Sequence, residues 1–282
     1  MNTTRENGLR LIVISLAWFA LMAFIYVILS ENVFAFLGWH LPQVPQFAFV
    51  KIAAAFLAAF ACFWYGRGLK LALGGAVGVM VLAWVLEFLA GHVGFFGGTY
   101  TYLGDFPGPV VGGTPLLLAP QHYAYYFFMS YFMSNLLVVG AGLPDGPIGW
   151  KKKLYASFVG SIVVAGIDMM ADPTQVNVYH LWRWDHPSSY YGIPYGNYLG
   201  YLVVYTTLLF VYRLFEEAVC ARPLGARPAV IAWVPLVLHA TRYVEYASSG
   251  LGGIALIGGF TMLFPCLLAT GRLVESLRTP RV

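Results

Sequence analysis

Charged residues are scarce in this chain. Asp, Glu, Lys and Arg together make up 10% of its 282 residues, whereas soluble proteins average about 25%. Hydrophobic residues account for 60%, and the mean hydropathy is +0.72. This balance excludes an ordinary soluble domain and predicts an all-α integral membrane protein. The chain also lacks internal repeats, low-complexity tracts and charge-rich linkers, so we expect residues 1–282 to form a single transmembrane helical domain.

Motifs for cofactors and disulfides are equally lacking. The three cysteines, Cys62, Cys220 and Cys266, form no CxxC pair and no disulfide framework. The six histidines form no HxxxH or HxxHH box, which disfavours a di-iron or other metal site. There is no GxGxxG within a βαβ pattern and no GxSxG elbow, so nucleotide cofactors and serine hydrolysis have no support. The sequence therefore predicts a protein with no metal and no cofactor.

Long hydrophobic runs are abundant. A helix needs about 20 apolar residues to cross a bilayer, and eight segments come near that length. All basic residues except Lys51, Arg183 and Arg242 fall at the N-terminus, at the C-terminus, or in the loops after the second, fourth and sixth segments. This asymmetry follows the positive-inside rule for an integral protein of the cell membrane with both termini cytoplasmic. The predicted bundle of about eight transmembrane helices comprises residues 9–29, 47–66, 71–91, 115–139, 154–171, 197–215, 229–247 and 251–270.

The net charge of +4 has the same origin in membrane topology. We therefore expect no nucleic-acid partner. The run Lys151 to Lys153 is interpreted as an anchor near anionic headgroups of the membrane lipid. The sequence leaves the oligomeric state open.

Acidic residues are concentrated near one end of the predicted spans. Asp168 and Asp172 lie one helical turn apart on the same face of the fifth span, and Pro173 is expected to end that helix. Glu87 and Glu245 lie toward the same end of the third and seventh spans. A charged side chain at the centre of a bilayer costs about 3 kcal/mol even on lenient scales, so an intramembrane acid suggests a functional site. We predict one site at this end of the bundle.

The pair formed by Asp168 and Asp172 admits three interpretations. It can hold Mg²⁺ for an isoprenoid diphosphate, but only Lys51, Arg183 and Arg242 lie on that side to bind phosphates. It can be a polar helix end in which Asp168 pairs with Arg242. A carboxyl group in an apolar site can also remain protonated at neutral pH and act as an acid. We favour the last interpretation for Asp168, the deeper of the two.

Glu87 is interpreted as functional rather than as a structural acid bonded to a tyrosine or to Arg242. Gly91 and Gly94 share its helical face and leave room for a neighbouring helix or a ligand. The apolar loop 103–114 is either a lid that re-enters the bundle or a surface loop.

Aromatic residues make up 17% of the chain. Most tryptophans and tyrosines of membrane proteins form interfacial belts, but the clusters Trp182-Arg-Trp184 and Tyr190-Tyr191 are denser than a belt requires. Aromatic faces stabilise cations. A cationic intermediate beside these rings is therefore a second hypothesis, next to the belt.

Together these residues resemble the CruF-type carotenoid 1′,2′-hydratases, membrane proteins of carotenoid biosynthesis that include bisanhydrobacterioruberin hydratase. Two features depart from the pattern of that family. Tyr201 follows Gly200 where a tryptophan is usual, and the fourth span opens with the polar run Pro120-Gln121-His122. The similar residues are Glu87, Gly91, Gly94, Tyr100, Tyr102, Gly113, Thr114, Pro115, Asp168, Asp172, Pro173, Trp182, Trp184, Tyr190, Tyr191, Gly192, Ile193, Pro194 and Asn197.

The resemblance implies an enzyme that adds water to the terminal 1′,2′ double bond of an acyclic ψ-end group, without redox cofactor or metal. Its partners would be a long polyene carotenoid and water. Protonation at C-2′ gives a tertiary cation at C-1′, which water attacks. Asp168 or Glu87 would supply the proton, and Asp172 would orient the water.

The resemblance also implies a set of substrate-binding residues. Trp182, Trp184 and Tyr191 would stabilise the cation, and Asn197 would hydrogen-bond the water. The full implied set is Tyr100, Tyr102, Trp182, Trp184, Tyr190, Tyr191 and Asn197.

Three rival functions remain open from the sequence. A carotenoid end-group cyclase or isomerase would begin with the same protonation. A proton-coupled carrier would use the intramembrane acids to shuttle protons. A carotenoid-binding or scaffolding protein would hold the pigment without changing it.

Overall fold

The computed structural model describes residues 3–36, 45–94, 98–103, 106, 108–144, 147–219 and 229–278. Within these residues, two π-helical segments, His122–Phe128 and Gly259–Leu263, join α4 to α5 and α9 to α10, so that eight continuous helical segments match the eight predicted spans. The helices are α1 (Thr3–Phe36), α2 (Pro45–Arg67), α3 (Leu69–Val93), α4 (Leu118–Gln121), α5 (Met129–Val139), α6 (Trp150–Asn177), α7 (Tyr195–Val219), α8 (Ala229–Ala247), α9 (Ile254–Gly258) and α10 (Phe264–Arg278).

Six of these segments are long and apolar enough to cross a membrane. They are Gly8–Leu29, Ala48–Arg67, Leu69–Val93, Trp150–Asn177, Tyr195–Val219 and Ile254–Arg278. The prediction of an all-α membrane protein is thereby confirmed.

The other two predicted spans, α4 to α5 and α8, are not among these six, and most of their described residues are buried in protein. Every residue from Gln121 to Leu136 is buried, so this segment forms the centre of the bundle. Among its polar side chains, Tyr131 and Asn135 form hydrogen bonds inside the bundle. In α8, the buried Arg242 pairs with the buried Glu245. Charges paired inside a bundle do not face hydrocarbon, which removes most of their cost.

The prediction that Pro173 ends its helix is wrong. Helix α6 continues for four residues beyond Pro173, to Asn177. Proline has no N–H, so the carbonyl of Met169, four residues earlier, loses its helical partner. The hydroxyl of Tyr190 donates to that carbonyl at 2.7 Å. A side chain from the following loop therefore satisfies the group that the proline leaves free.

Two short antiparallel ladders, which the sequence did not predict, cover one end of the bundle. Strand β1 (Tyr100–Tyr102) pairs with β4 (Trp182–Trp184). This pairing joins the loop after α3 to the loop after α6. Strands β2 (Val110–Val111) and β3 (Thr114–Pro115) form a hairpin. Pairing satisfies backbone groups that would otherwise be costly near membrane depth.

The hairpin belongs to the loop 103–114, for which a lid and a surface position were both predicted. Its turn lies against the end of α3, since a Cβ at Gly112 would come within 2.8 Å of the Phe88 ring. Val110 and Val111 are exposed. Gly104, Asp105 and Pro107 of the same loop lie outside the described residues.

Charged side chains also gather at the opposite end of the bundle. Arg67 and Tyr131 both bond Glu216, and Lys153 pairs with Glu217. Among the predicted basic positions at this end, Arg222, Arg227 and Arg281 lie outside the described residues, as does Cys220. The two described cysteines, Cys62 and Cys266, are free and buried.

Candidate active site

Asp168 and Asp172 share a single hydrogen-bond donor. They lie one turn apart on α6 and are 0% and 4% exposed. The side-chain amide of Asn197, near the start of α7, donates to Oδ2 of Asp168 at 2.8 Å and to Oδ2 of Asp172 at 2.9 Å. The two carboxyl groups are thus bridged by one amide, and the helical spacing predicted from the sequence is what allows this.

Two tyrosines complete the surroundings of Asp168. Tyr126 donates its hydroxyl to Oδ1 of Asp168 at 3.1 Å, and the ring of Tyr201 stacks on that of Tyr126 with the centroids 5.6 Å apart. Asp168 is therefore enclosed by protein donors. Arg242, the alternative partner considered for Asp168, contacts Glu245 and Tyr246 instead.

Glu87 accepts hydrogen bonds from three side chains. Its Oε2 lies 2.5 Å from the hydroxyl of Tyr100 and 3.2 Å from that of Tyr102. Its Oε1 lies 3.0 Å from Nε2 of His122. Nδ1 of His122 lies 2.7 Å from the hydroxyl of Tyr205. A continuous series of polar contacts thus runs from the Glu87 carboxylate through the imidazole of His122 to the phenol of Tyr205.

The phenols of Tyr100 and Tyr102 act as donors to Glu87. Both residues belong to β1, outside the helices. Burial and the neighbouring Glu87 carboxylate raise the pKa of each phenol well above its usual range. Both hydroxyls therefore keep their protons at neutral pH. Gly91, one turn beyond Glu87, lies beside Tyr100, and a Cβ added there would be at an ordinary contact distance of 3.7 Å from the Tyr100 carbonyl oxygen.

The π-helical segment that begins at His122 places two site residues together. His122 and Tyr126 stack with ring centroids 4.8 Å apart, and they reach Glu87 and Asp168 respectively. A π-helical turn inside an α-helix is rare and occurs often at functional sites. Here one wide turn connects the Glu87 cluster with the aspartate pair.

An aromatic layer formed by β1 and β4 covers these groups. The ladder pairs Tyr100 with Trp184 and Tyr102 with Trp182. The ring centroids are 4.8 Å apart in the first pair and 6.0 Å in the second. Both tryptophans are buried, so they are part of the site and not an interfacial belt.

A partly open cavity lies beneath this layer, between α3 and α7. Six polar side chains line it: Glu87, Gln121, His122, Asp172, Gln175 and Asn197. Aromatic rings from Tyr100, Tyr102, Tyr126, Trp182, Trp184, Tyr201 and Tyr205 form much of the remaining wall. Asp168 does not line the cavity and lies behind Asp172, Asn197 and Tyr126.

The remaining predicted aromatic residues lie outside the cavity lining. Tyr190 bonds the carbonyl of Met169, and burial raises the pKa of its phenol. Tyr191 bonds the carbonyl of Gly252, in the turn between α8 and α9. The hydrogen bonds of these two tyrosines thus hold the loop after α6 in place.

Glu245, which we expected to join the other acids, forms a separate cluster. It accepts from Lys51 at 3.1 Å and pairs with Arg242. The guanidinium of Arg242 also lies over the rings of Tyr125 and Tyr246, each 4.3 Å from the ring centroid. The expectation that Glu245 belongs to the site is wrong because two cations neutralise it within α2 and α8.

Sequence reasoning missed several residues of the site. His122, Tyr126, Tyr201 and Tyr205 are all buried or half-buried beside the three acids. One signal was present: the polar run from Pro120 to His122 interrupts an apolar span. Tyr201 was noted only as a departure from the family pattern, and no comparable signal distinguishes Tyr126 and Tyr205 from ordinary core aromatics.

The arrangement has the parts of an acid–base site. One member of a carboxyl pair, Asp172, reaches the cavity from α6, and a carboxylate–imidazole pair reaches it from α3 and the π-helical segment. A proton can be donated by one group and accepted by the other. Aromatic faces between them can stabilise positive charge. Within the described ranges, no cluster of three or more His, Cys, Asp or Glu residues is placed to hold a metal ion.

Comparison with known proteins gives one match. The model of a family described as "carotenoid biosynthesis protein" matches residues 46–264, which include every residue of the cavity. No curated protein and no solved structure matches the chain.

Proposed function

The chain belongs to the carotenoid biosynthesis protein family, and from this premise we propose that it hydrates the terminal 1′,2′ double bond of an acyclic ψ-end group. The observation that carries the proposal is the cavity itself, which combines Asp172 of the acid pair, a carboxylate–imidazole pair and aromatic walls. Addition of water to an isolated alkene needs a proton donor, a stabilised cation and one activated water. The cavity contains residues suited to each of these three requirements.

Asp172 is our candidate for the proton donor. Of the aspartate pair, it is the member that lines the cavity. Two carboxyl groups bridged by one amide repel each other when both are ionised, so the pair is suited to holding one proton. Transfer of that proton to C-2′ breaks the O–H bond of Asp172 and leaves a tertiary cation at C-1′. Asp168 and Asn197 act as positioning residues for the donor.

Glu87 and His122 are our candidates for the base. Water adds to C-1′ through an oxygen lone pair, and the proton it then releases goes to the carboxylate–imidazole pair. The net reaction adds one water molecule, and a proton returned from Glu87 and His122 to Asp172 through water resets the site. Tyr126, Tyr201 and the two tryptophans stabilise the cation in between.

The polar lining favours hydration over cyclisation. A cyclase forms the same cation but must exclude water until a ring double bond captures it. The cavity instead contains three amides and an imidazole besides the carboxyl groups, through Gln121, Gln175, Asn197 and His122. Such groups hold water by hydrogen bonds.

Pigment mass spectrometry in cells that make an acyclic carotenoid tests the proposal. Cells expressing the chain should accumulate a product heavier by one water molecule for each reacted end. A product of unchanged mass would identify a cyclase or isomerase and overturn hydration. Unchanged pigment bound to the purified protein would indicate a binding protein, and substrate flux in proteoliposomes without chemical change would indicate a carrier.

We also propose an orientation in the cell membrane. Glu87, Asp172 and Asn197 all lie near helix ends on the side away from Lys151 to Lys153. With the lysine-rich side cytoplasmic, the cavity lies toward the outer leaflet, and both termini are cytoplasmic.

A further inference from the structure

Helices α3 and α7 approach closely at one end and diverge at the other. Near the lysine-rich end, a Cβ added to Gly75 would lie 2.8 Å from the ring of Tyr212, and one added to Gly74 would lie 3.7 Å from Phe215. The glycines thus permit near contact between the helices. Farther along, the cavity lies between the same two helices.

Each helix turns one face toward this gap. On α3 the lining positions are 82, 83, 86, 87 and 90, and on α7 they are 197, 200, 201, 204, 205 and 208. Both sets repeat every three or four residues, as a single helical face does. The lining on α7, from Asn197 to Leu208, extends over roughly 16 Å at about 1.5 Å per residue.

The polarity of the gap changes along its length. Carboxyl, amide and imidazole groups lie at the end near the strands, while Leu82, Leu86, Val204 and Leu208 line the other end. Leu82 is 41% exposed although it lines the cavity. Its neighbour Val81 and the α7 residue Val203 are 59% and 53% exposed on helices that span the membrane. The apolar end of the cavity therefore communicates with the surface that faces lipid.

We infer that the gap between Leu82 and Val204 is a lateral portal through which the end of an acyclic polyene enters from the bilayer. This inference rests on the proposed function and specifies how its substrate is bound. A polyene dissolves in hydrocarbon, so a side opening spares it passage through water. The cavity encloses only the terminal part of a long chain, and the remainder stays in lipid. The protein therefore acts on one end of the polyene at a time, whatever group the other end of the polyene carries.

Paired tryptophan substitutions test the portal. Leu82→Trp and Val204→Trp fill the gap from either helix, and each should lower the yield of hydrated product by about tenfold or more. The matched controls Val81→Trp and Val203→Trp add the same side chain one position away, on the lipid-facing surface, and should keep the wild-type yield. Wild-type yield from both portal variants would overturn the inference.

A reversible block separates closure of the portal from damage to the fold. Leu82→Cys, labelled in detergent with a bulky hydrophobic methanethiosulfonate, should lose turnover and regain it when reductant removes the label. All of these proteins also carry Cys220→Ser; labelled Val81→Cys and the labelled parent should then not change, because the remaining Cys62 and Cys266 are buried. Full turnover of labelled Leu82→Cys would contradict the portal.

A failure of the proposed function can be distinguished from a failure of the portal. If the wild type makes no hydrated product, the portal is measured by the acyclic polyene that copurifies with the protein. Leu82→Trp should then retain about tenfold less polyene than Val81→Trp. Equal retention by the two variants would overturn the portal on its own.

Discussion

At the scale of single residues, our proposal assigns proton donation and proton acceptance to two pairs of residues with different surroundings. Asp168 and Asp172 share the amide of Asn197, whereas Glu87 is bonded to an imidazole and two phenols. A pair of acids suits donation, and an acid with a base suits acceptance. This difference in surroundings, rather than the presence of three acids, assigns the roles that we propose.

The assignment predicts unequal effects of neutralising the acids. Asp172→Asn removes the donor that lines the cavity and should lower turnover by about 10²-fold or more, the usual loss for a general acid. Glu87→Gln should lower turnover by about as much, because water then lacks its base. Asp168→Asn should cost less, since this side chain acts through its neighbours. Hydrated product normalised to protein amount is the measurement.

Glu275→Gln is the matched control for these substitutions. Glu275 is an exposed carboxylate near the end of α10, where it pairs with Arg272. The same loss of one charge there should leave turnover unchanged. Full hydration by Asp172→Asn would remove Asp172 as the donor, and a larger loss from Asp168→Asn than from Asp172→Asn would transfer the role to Asp168.

At the scale of elements, α6 shows how a distant side chain can overrule a local signal. Proline at position 173 deprives the carbonyl of Met169 of its helical donor, and Tyr190 supplies another. The helix can therefore extend to Asn177, and the loop after it is held against the helix. Gln175, which lines the cavity, lies in the part of α6 that this contact preserves.

A double-mutant cycle tests this compensation. Tyr190→Phe should lower the free energy of unfolding by about 1 kcal/mol, since a buried acceptor loses its hydrogen bond. In the Pro173→Ala background the N–H of residue 173 can bond Met169, so the same change should cost much less. Reversible denaturation in detergent micelles measures both losses.

Tyr191→Phe provides the control for this cycle. It removes the neighbouring hydroxyl, which bonds Gly252 instead of Met169. Its cost should be equal with and without Pro173→Ala. If Tyr190→Phe also costs the same in both backgrounds, the tyrosine does not replace the missing helical bond.

Sequence patterns predicted some elements well and others not at all. The eight helical segments follow from apolar runs of bilayer length, which is a local property. The pairing of Asp168 with Asp172 on one face follows from helical periodicity. The end of α6 and the strand Trp182–Trp184 depend on partners far along the chain, Tyr190 and the strand Tyr100–Tyr102. Local sequence patterns do not predict such contacts between separate segments.

At the scale of the whole molecule, the two ends of the bundle carry different kinds of charge. One end gathers acids among aromatic rings, and the other gathers Arg67, Lys153 and their glutamate partners. The family match confirms the resemblance to carotenoid biosynthesis proteins that the sequence predicted. The orientation of these ends in the membrane stays a prediction, derived from the distribution of lysine and arginine.

Cysteine labelling in intact cells tests that orientation. The native Cys220 lies in the sequence between α7 and α8, on the side predicted to be cytoplasmic, so a membrane-impermeant maleimide should label it only after the cells are permeabilised. Ser189→Cys, made with Cys220→Ser, places a thiol at an exposed position beside the aromatic layer. It should react in intact cells, because the positive-inside rule puts this loop outside. Cys62 and Cys266 are buried and should contribute little background. Labelling of Cys220 but not Ser189→Cys in intact cells would reverse the bundle and move the cavity to the cytoplasmic leaflet.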